Sequence, residues 1–180
     1  MSIPTESDKV RLFSSLFSSE KDLIDKAIEE LVERFGSPDV ITPWLMFERT
    51  RYYEKEMGWP LYRRFITFKE LITPEELVDK KLSTNKIEAK YSNEGKRRIN
   101  IDPGYICLER LVLATGKNYT HRIYLSQGIY ADLTLVFNKG TFKPLEWSYP
   151  DYSDEESIEF FNNEREKYKN QLRSVEGEIY

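Results

Sequence analysis

The chain contains a single histidine, His121, in the segment "TGKNYTHR" at positions 115–122. Lys117, Asn118 and Arg122 lie within five positions of it. Cations, an amide and an imidazole in one segment can bind an anionic group and transfer a proton, because imidazole titrates near neutral pH. The alternative is a structural histidine, whose ring packs while its nitrogens bond to a carbonyl or a carboxylate.

Asp102 is the carboxylate that we predict to complete this site. The segment "RRINID" alternates, so Ile99 and Ile101 share one face of a strand and Asp102 lies on the other, polar face. We expect the strand to end in the following Pro-Gly turn, across which Asp102 meets Lys117 and His121. His121 is then the candidate general acid or base and Asp102 orients it or binds a metal. The alternative is that Asp102 closes an Asx-type turn.

The segment "FERTRYYEKEMG" at 47–58 adds Glu48 and Tyr52 to the candidate ligand-binding residues. Glu48 and Glu56 could join Asp102 as oxygen ligands of Mg²⁺ or Ca²⁺. These carboxylates have no defined spacing, however, and a solvated acidic loop is the favoured interpretation. We therefore predict no metal site.

A hairpin is predicted over residues 121–137, with "SQG" as a three-residue loop. In this register Arg122 faces Asp132 on a polar face. The other pairs are Ile123 with Ala131, Tyr124 with Tyr130, and Leu125 with Ile129. Arg122 is then either a partner of Asp132 or free to bind an anion in a pocket.

Composition limits the classes of protein that the chain can belong to. Its 180 residues suit one domain, and a net charge of -4 argues against a general nucleic-acid binder. The single cysteine, Cys107, excludes an internal disulfide and, with one histidine, a Cys/His zinc cluster. No apolar run approaches the length of a membrane span, and the first residues lack a secretory pattern. We expect a cytoplasmic location and no membrane association.

The order of predicted elements indicates an α+β fold. Residues 1–104 give strand, helix, strand, strand, helix, strand, the ferredoxin-like βαββαβ order. A doubly wound parallel sheet would need a helix between the second and third strands, where only a short excursion is predicted. Residues 105–180 are predicted to extend this core within one domain, as a helix over "ICLERLVLA", a three-stranded antiparallel meander and a C-terminal helix.

Two basic clusters, "YRR" at 62–64 and "KRR" at 96–98, lie at strand starts among aromatic residues. An open sheet face with such edges could bind RNA or a partner protein. The signature of an RNA-recognition motif is absent, and charged edge strands commonly serve to prevent aggregation. RNA is therefore a possible partner that we do not favour.

Five segments together resemble the prokaryotic domain of unknown function 4416 family. They are "YYEKEMG" (52–58), "NIDPGY" (100–105), "LVLATGKNYTHRIYL" (111–125), "GIYADLTLVF" (128–137) and "YPDY" (149–152). The resemblance implies a small protein of about this length and no established activity. Some members carry an automatic label of GTP-binding protein, but "ATGKN" lacks the upstream glycine and the following Ser/Thr of a phosphate-binding loop.

The best functional hypothesis from these residues is a pocket for a small anionic, phosphate- or nucleotide-like ligand, with acid–base chemistry at His121 and Asp102. The predicted ligand-binding residues are Glu48, Tyr52, Lys117, Asn118 and Arg122. The alternative is a non-catalytic module that binds RNA or protein. The sequence indicates no particular cofactor or oligomeric state.

Overall fold

The computed structural model describes residues 1–48 and 50–177, with the backbone alone for 175–177. Within these residues the chain forms one antiparallel sheet of nine strands and four α-helices. The strands are β1 (Val10–Ser18), β2 (Pro38–Ile41), β3 (Leu45–Met46), β4 (Tyr62–Ile72), β5 (Asn100–Ile106), β6 (Arg110–Thr115), β7 (Arg122–Ser126), β8 (Ile129–Asn138) and β9 (Thr141–Pro144). The helices are α1 (Lys21–Phe35), α2 (Glu54–Met57), α3 (Leu77–Tyr91) and α4 (Glu155–Gly177). The predicted α+β class is confirmed.

The strand order across the sheet is β2-β4-β1-β5-β6-β8-β7. Two short strands extend its edges, β3 beside β4 and β9 beside β8. Every pairing is antiparallel. β1 therefore lies inside the sheet, between β4 and β5, as its nine buried residues require.

Helices α1 and α3 cover one face of the sheet, which we call the helix face. The predicted apolar stripe of α1 is buried against Leu12 and Leu16 of β1. The stripe residues that are buried are Leu23, Ile24, Ala27, Ile28, Leu31 and Phe35. α3 joins the same core through Ile87, next to Ile99 and Ile101. The predicted inward face of the segment 99–101 is thus confirmed.

Helix α4 covers part of the opposite face, which we call the second face. Phe161 of α4 contacts Phe13 of β1, with ring centroids 5.1 Å apart. A buried ion pair adds to this contact, because Arg11 donates to Glu164 Oε2 over 2.9 and 2.7 Å. Phe13 and Leu12 are neighbours in β1, so the alternation of the strand separates the two cores.

The predicted turn at Pro103 and Gly104 is wrong, because β5 continues through both residues to Ile106. Gly104 is needed for packing: a Cβ there would lie 2.5 Å from the Val112 carbonyl oxygen and 2.7 Å from the Phe13 ring. Pro103 is tolerated because the pairing of β5 with β6 begins only at Gly104. Its missing N–H therefore costs no bond in that ladder.

Side chains of helix α3 form hydrogen bonds with the backbone of β5 along the part of its edge that β6 does not reach. Glu88 Oε1 accepts a 2.6 Å bond from the Ile101 N–H, and Lys81 Nζ donates to the Ile101 carbonyl over 3.0 Å. Residues two apart in a strand point their N–H groups the same way, so the nitrogen of Pro103 also faces this open edge. The two charged side chains take the place of a neighbouring strand at Asn100–Pro103.

The predicted helix over "ICLERLVLA" is also wrong. Ile106 ends β5, and Arg110–Thr115 forms β6, which pairs with β5 and β8. Leu111, Val112, Leu113 and Ala114 are all buried, because β6 is central and both of its faces are covered. Cys107 consequently lies in the β5–β6 connection and not on a helix. The part of the chain over residues 105–180 therefore begins with strands and not with the predicted helix.

The predicted hairpin register is confirmed at three of its four pairs. Arg122 pairs with Asp132, Ile123 with Ala131, and Tyr124 with Tyr130. The fourth pair is wrong: a register shift near the turn places Ser126, and not Leu125, opposite Ile129.

Candidate functional site

One end of the second face is polar. It lies beyond the contacts that α4 makes with Arg11 and Phe13 of β1. Ser15 of β1 pairs in register with Asp102 of β5 and with Phe65 of β4. Arg63 lies two residues before Phe65, so it shares that face. The strands therefore bring Ser15, Asp102 and Arg63 together on the side away from α1 and α3.

Among the residues that the structure describes, three buried polar atoms at this end have no hydrogen-bond partner: Ser15 Oγ, Arg63 Nε and Tyr152 Oη. Tyr152 belongs to a 3₁₀ turn at Pro150–Tyr152, just before α4. Its ring centroid lies 5.5 Å from the Arg63 guanidinium carbon. The Ser15 hydroxyl lies near the Tyr152 hydroxyl, but the pair does not reach hydrogen-bond geometry. Buried polar groups are normally satisfied, so three together mark an exceptional place.

Arg63 is the cation of this end of the sheet. Its guanidinium makes a buried ion pair with Asp151 through Nη1. Burial lowers the pKa of Arg63, while the negative charge of Asp102 opposes this effect. Nε remains available as a charged donor, since it has no acceptor among the described residues.

The tyrosines around Asp102 stay protonated at neutral pH. Burial, helped by the charge of Asp102 and by Tyr149, raises the pKa of Tyr53 to about 12. Burial also raises the pKa of Tyr152 and that of Tyr149, and Asp102 contributes to both. Each phenol can therefore donate a hydrogen bond to a ligand oxygen.

Asp102 is held by fixed partners. Lys81 Nζ donates to Oδ1 over 3.0 Å and Asn100 Nδ2 donates to Oδ2 over 2.6 Å. Asn100 accepts from Arg97, which also forms a bidentate pair with Glu56 over 2.8 and 2.9 Å. The Asp102 side chain is 35% exposed, so solvent reaches this carboxylate from the side that these partners leave open.

The charge of Glu88, beside Lys81, gives a testable pH dependence. Burial is the first cause of the raised pKa of Glu88, against a smaller opposing effect of Lys81. Ionisation of Glu88 therefore costs stability above its raised pKa and costs nothing below the ordinary value of 4.5. Glu88→Gln keeps an oxygen acceptor for Ile101. We expect this variant to gain stability relative to wild type as the pH rises.

Urea unfolding of both proteins at about pH 4 and about pH 8 measures this difference, since stability follows the protons bound by each state. A difference between the two proteins that is constant with pH, or that moves in the opposite direction, would contradict the assignment. Glu29→Gln, on the exposed side of α1, is the matched control.

His121 is brought to Asp132 and not to Asp102. Its Nε2 lies 3.4 Å from Asp132 Oδ2, and its ring stacks on Trp147 at 4.9 Å and 12°. The predicted pairing of His121 with Asp102 is thus corrected: the partners described for Asp102 are Lys81 and Asn100. Asp102 also lies inside a strand and not at a strand end.

Arg122 links the histidine to the polar end of the sheet. Its Nε donates to Asp132 over 2.8 Å, which confirms the predicted cross-strand pair. Its Nη2 donates to the Tyr149 hydroxyl over 2.8 Å. Asp132 is 2% exposed and the Arg122 side chain 11%, so this ion pair is buried and does not lie on a solvated edge.

The remaining predicted site residues lie further out. Tyr52 is exposed and contacts Tyr53 edge to face at 5.0 Å. Lys117 and Asn118 are exposed in the loop before β7. The pKa of Glu56 is lowered first by its hydrogen bonds from Arg97, and the charge of Lys117 adds a smaller effect. Glu48 is exposed after β3, and no contact of Glu48 or Asn118 with Asp102 occurs among the described residues. These two residues do not line the polar end.

The carboxylates considered above as metal ligands are Glu48, Glu56 and Asp102. They are not brought together in the part of the chain that the structure describes. Glu56 is paired with Arg97 and Asp102 with Lys81. Across residues 1–48 and 50–174, whose side chains the structure describes, no group of three or more His, Cys, Asp or Glu side chains could hold a metal ion.

Sequence reasoning missed Ser15, Tyr53, Tyr149 and Tyr152. Two adjacent serines in the apolar strand "VRLFSSLF" were a usable signal, because polar residues are rare in a fully buried strand. Tyr149 and Tyr152 stood in "YPDY", noted only as part of the family resemblance. Arg63 was assigned to a surface cluster, whereas it is buried.

The comparisons with known proteins agree with the resemblance seen in the sequence. None of the helices described is long and apolar enough to cross a membrane. No curated protein and no solved structure matches the chain. The model of one family, the domain of unknown function DUF4416, matches residues 8–168. Because this match covers most of the 180 residues, the chain belongs to the DUF4416 family.

Proposed function

We propose that the chain binds a small ligand with an anionic oxygen group, of the phosphate or carboxylate kind, at the polar end of the second face. We call this place the Ser15 cleft. It is formed by Ser15, Tyr53, Arg63, Asp102, Tyr149 and Tyr152. The observation that carries the proposal is a set of three buried polar atoms, Ser15 Oγ, Arg63 Nε and Tyr152 Oη, which lack a hydrogen-bond partner within the described part of the chain.

The chemistry of these atoms favours an anionic oxygen as the group bound. A hydroxyl, a phenol and a guanidinium N–H are all donors, and Arg63 carries a charge away from water. An oxygen atom that accepts from two or three of them would satisfy groups whose isolation otherwise costs about 1–3 kcal/mol each. When ionised, Asp102 accepts hydrogen bonds, so a hydroxyl or an amine elsewhere on the ligand can donate to it.

Acid–base chemistry in this cleft belongs to Asp102 under the proposal, since its carboxylate is the accessible one. A catalytic role for His121 stays a prediction, because its imidazole faces Asp132. The route from His121 to the cleft runs through Asp132, Arg122 and Tyr149.

The architecture also supports a finer description of the fold. We propose a ferredoxin-like core in the first half of the chain. The antiparallel order β2-β4-β1-β5, with α1 and α3 on one face, is the arrangement that a βαββαβ unit produces.

A thermal-shift series with inorganic phosphate, nucleotides, sugar phosphates and dicarboxylates tests the proposal. A ligand at 100 times its Kd stabilises the folded state by about 2.7 kcal/mol, which corresponds to roughly 5–10 °C in Tm for a chain of this size. We expect at least one compound to produce this shift. Ser15→Ala and Tyr152→Phe should reduce the shift at least threefold.

Ser14→Ala is the matched control, because Ser14 is the adjacent buried hydroxyl without a partner and lies on the helix face. It should keep the wild-type shift. No shift with any compound in wild type would refute the proposal, as would equal shifts in all three variants.

Binding of RNA or protein through the basic clusters receives less support. Three of the arginines pair with carboxylates on the surface or at its border: Arg64 with Asp25, Arg97 with Glu56, and Arg98 with Glu20. Arg63 is buried. Cations that are already paired release fewer counterions on binding a phosphate backbone.

A further inference from the structure

The strand β7 forms one end of the sheet and presents an unpaired edge. It pairs only with β8 among the strands that the structure describes. Apart from the Arg122 N–H, which donates to the Tyr119 carbonyl over 3.0 Å, the backbone N–H and C=O groups on the other edge of β7 are available to a further strand. The partner that fits such an edge is another extended chain.

The edge strands β2 and β9 carry residues that prevent pairing, and β7 does not. β9 continues the same edge and contains Lys143 and Pro144. β2, at the opposite edge, begins with Pro38 and Asp39. Lysine, proline and charged residues are the usual protection of sheet edges. In β7 the one charge, Arg122, is engaged by Asp132.

The side chains of β7 are apolar and exposed. Ile123 is 71%, Tyr124 58% and Leu125 39% exposed. Leu125 also lines an apolar groove of about 330 Å³ on the helix face, together with Leu77 and Val78. An exposed apolar edge beside an apolar groove is typical of an interaction site.

We propose that β7 pairs antiparallel with β7 of a second copy, centred on Tyr124, and so joins two sheets into one. In this register Ile123 faces Leu125 of the partner subunit, and Tyr124 faces the partner's Tyr124. Apolar side chains thus meet apolar side chains on one face and two aromatic rings meet on the other. The contact is isologous, as in most dimers.

The position of Arg122, the one charged residue of β7, is compatible with this register. Arg122 lies opposite the partner's Ser126, so the two Arg122 residues are at opposite ends of the paired strands and do not repel each other. The register also places the partner's Ile123 beside Leu125, at the margin of the apolar groove. A parallel pairing would set Arg122 close to the partner's Arg122, which like-charge repulsion disfavours.

The size of the surface sets the expected strength. Five residues of strand and the margin of the groove bury less than about 600 Å² per copy, which is the range of weak and transient complexes. We therefore expect a monomer–dimer equilibrium with Kd in the micromolar range. The proposal is independent of the Ser15 cleft.

Sedimentation velocity of the full chain from about 1 to 500 μM measures this equilibrium across a micromolar Kd. Wild type should shift from monomer to dimer across the series. Ile123→Lys adds a charge to the edge and should raise Kd at least tenfold. Met46→Lys, an exposed apolar residue of the edge strand β3, should leave Kd unchanged.

Cross-linking tests the register. Under mild oxidation Tyr124→Cys should form a disulfide between copies far faster than Ile123→Cys, because only position 124 faces itself; Cys107 is buried. A wild-type chain that stays monomeric throughout would overturn the proposal. A dimer that is indifferent to Ile123→Lys, or that cross-links no better through position 124, would overturn it as well.

Discussion

Asp151→Asn should lower the free energy of unfolding by about 3–5 kcal/mol, the usual cost of removing one member of a buried ion pair. The variant leaves the Arg63 guanidinium, which is 5% exposed, without its carboxylate partner. Aromatic rings surround this cation: its carbon lies 4.4 Å from the Phe47 centroid and 5.5 Å from that of Phe17. Rings attract a cation, but they replace neither the charge nor the acceptors of a carboxylate.

The next arginine in the chain provides the control. Arg64 pairs with Asp25 over 3.1 Å, and the Asp25 side chain is half exposed. Asp25→Asn should cost less than about 1 kcal/mol, because exposed ion pairs are screened by water. Urea unfolding of the two variants and wild type measures both values. If Asp151→Asn costs no more than Asp25→Asn, the charge of Arg63 is compensated elsewhere in the Ser15 cleft.

Gly104→Ala should be destabilising by about 3 kcal/mol, the upper part of the range for overpacking. The added methyl group would lie 2.5 Å from the Val112 carbonyl oxygen, a backbone atom of the central strand β6. It would also lie 2.7 Å from the ring of Phe13, which is fully buried. Neither neighbour can turn aside, so β5 and β6 must separate.

Gly116→Ala is the matched substitution. Nothing lies within 4 Å of a Cβ at Gly116, and its backbone is outside the left-handed region. We expect a change within about 0.5 kcal/mol. Chemical unfolding of both alanine variants makes the comparison. A small effect of Gly104→Ala would show that the packing of Phe13 against β5 is looser than the structure indicates.

Much of the first half could be predicted from the sequence because its patterns are regular. The stripe of α1 repeats over four turns, and its burial follows directly. The alternation around Ile99 and Ile101 identified the inward face of β5 in the same way. The Arg122–Asp132 pair followed from hairpin geometry, which depends on residues close in the chain.

The structural predictions were wrong where one local sequence pattern is compatible with two structures. The run from Ile106 to Ala114 suits either a buried helix or a buried strand, because both of its faces are apolar. Pro103 and Gly104 resembled a turn. The proline is accommodated by an open sheet edge and the glycine by the ring of Phe13, and both causes are tertiary.

The Ser15 cleft could not be predicted for a similar reason. Ser15, Arg63 and Tyr152 come from three distant segments that meet only when β1, β4 and the turn before α4 have packed. The sequence gives the residue type or the motif of each one, but it does not show that the three residues meet in the fold. The predicted partnership of His121 failed because Asp132, on the paired strand, is the nearer carboxylate.

The unpaired edge of β5 at Asn100–Pro103 allows charged groups on the two faces of the sheet to interact. A continuous sheet separates the charges on its two faces, yet Lys81 of α3 reaches Asp102 on the opposite face through the opening at Asn100–Pro103. The same ammonium binds the Ile101 carbonyl and so fixes where α3 lies along the strand. A change of charge at Asp102 therefore acts directly on a helix of the other layer.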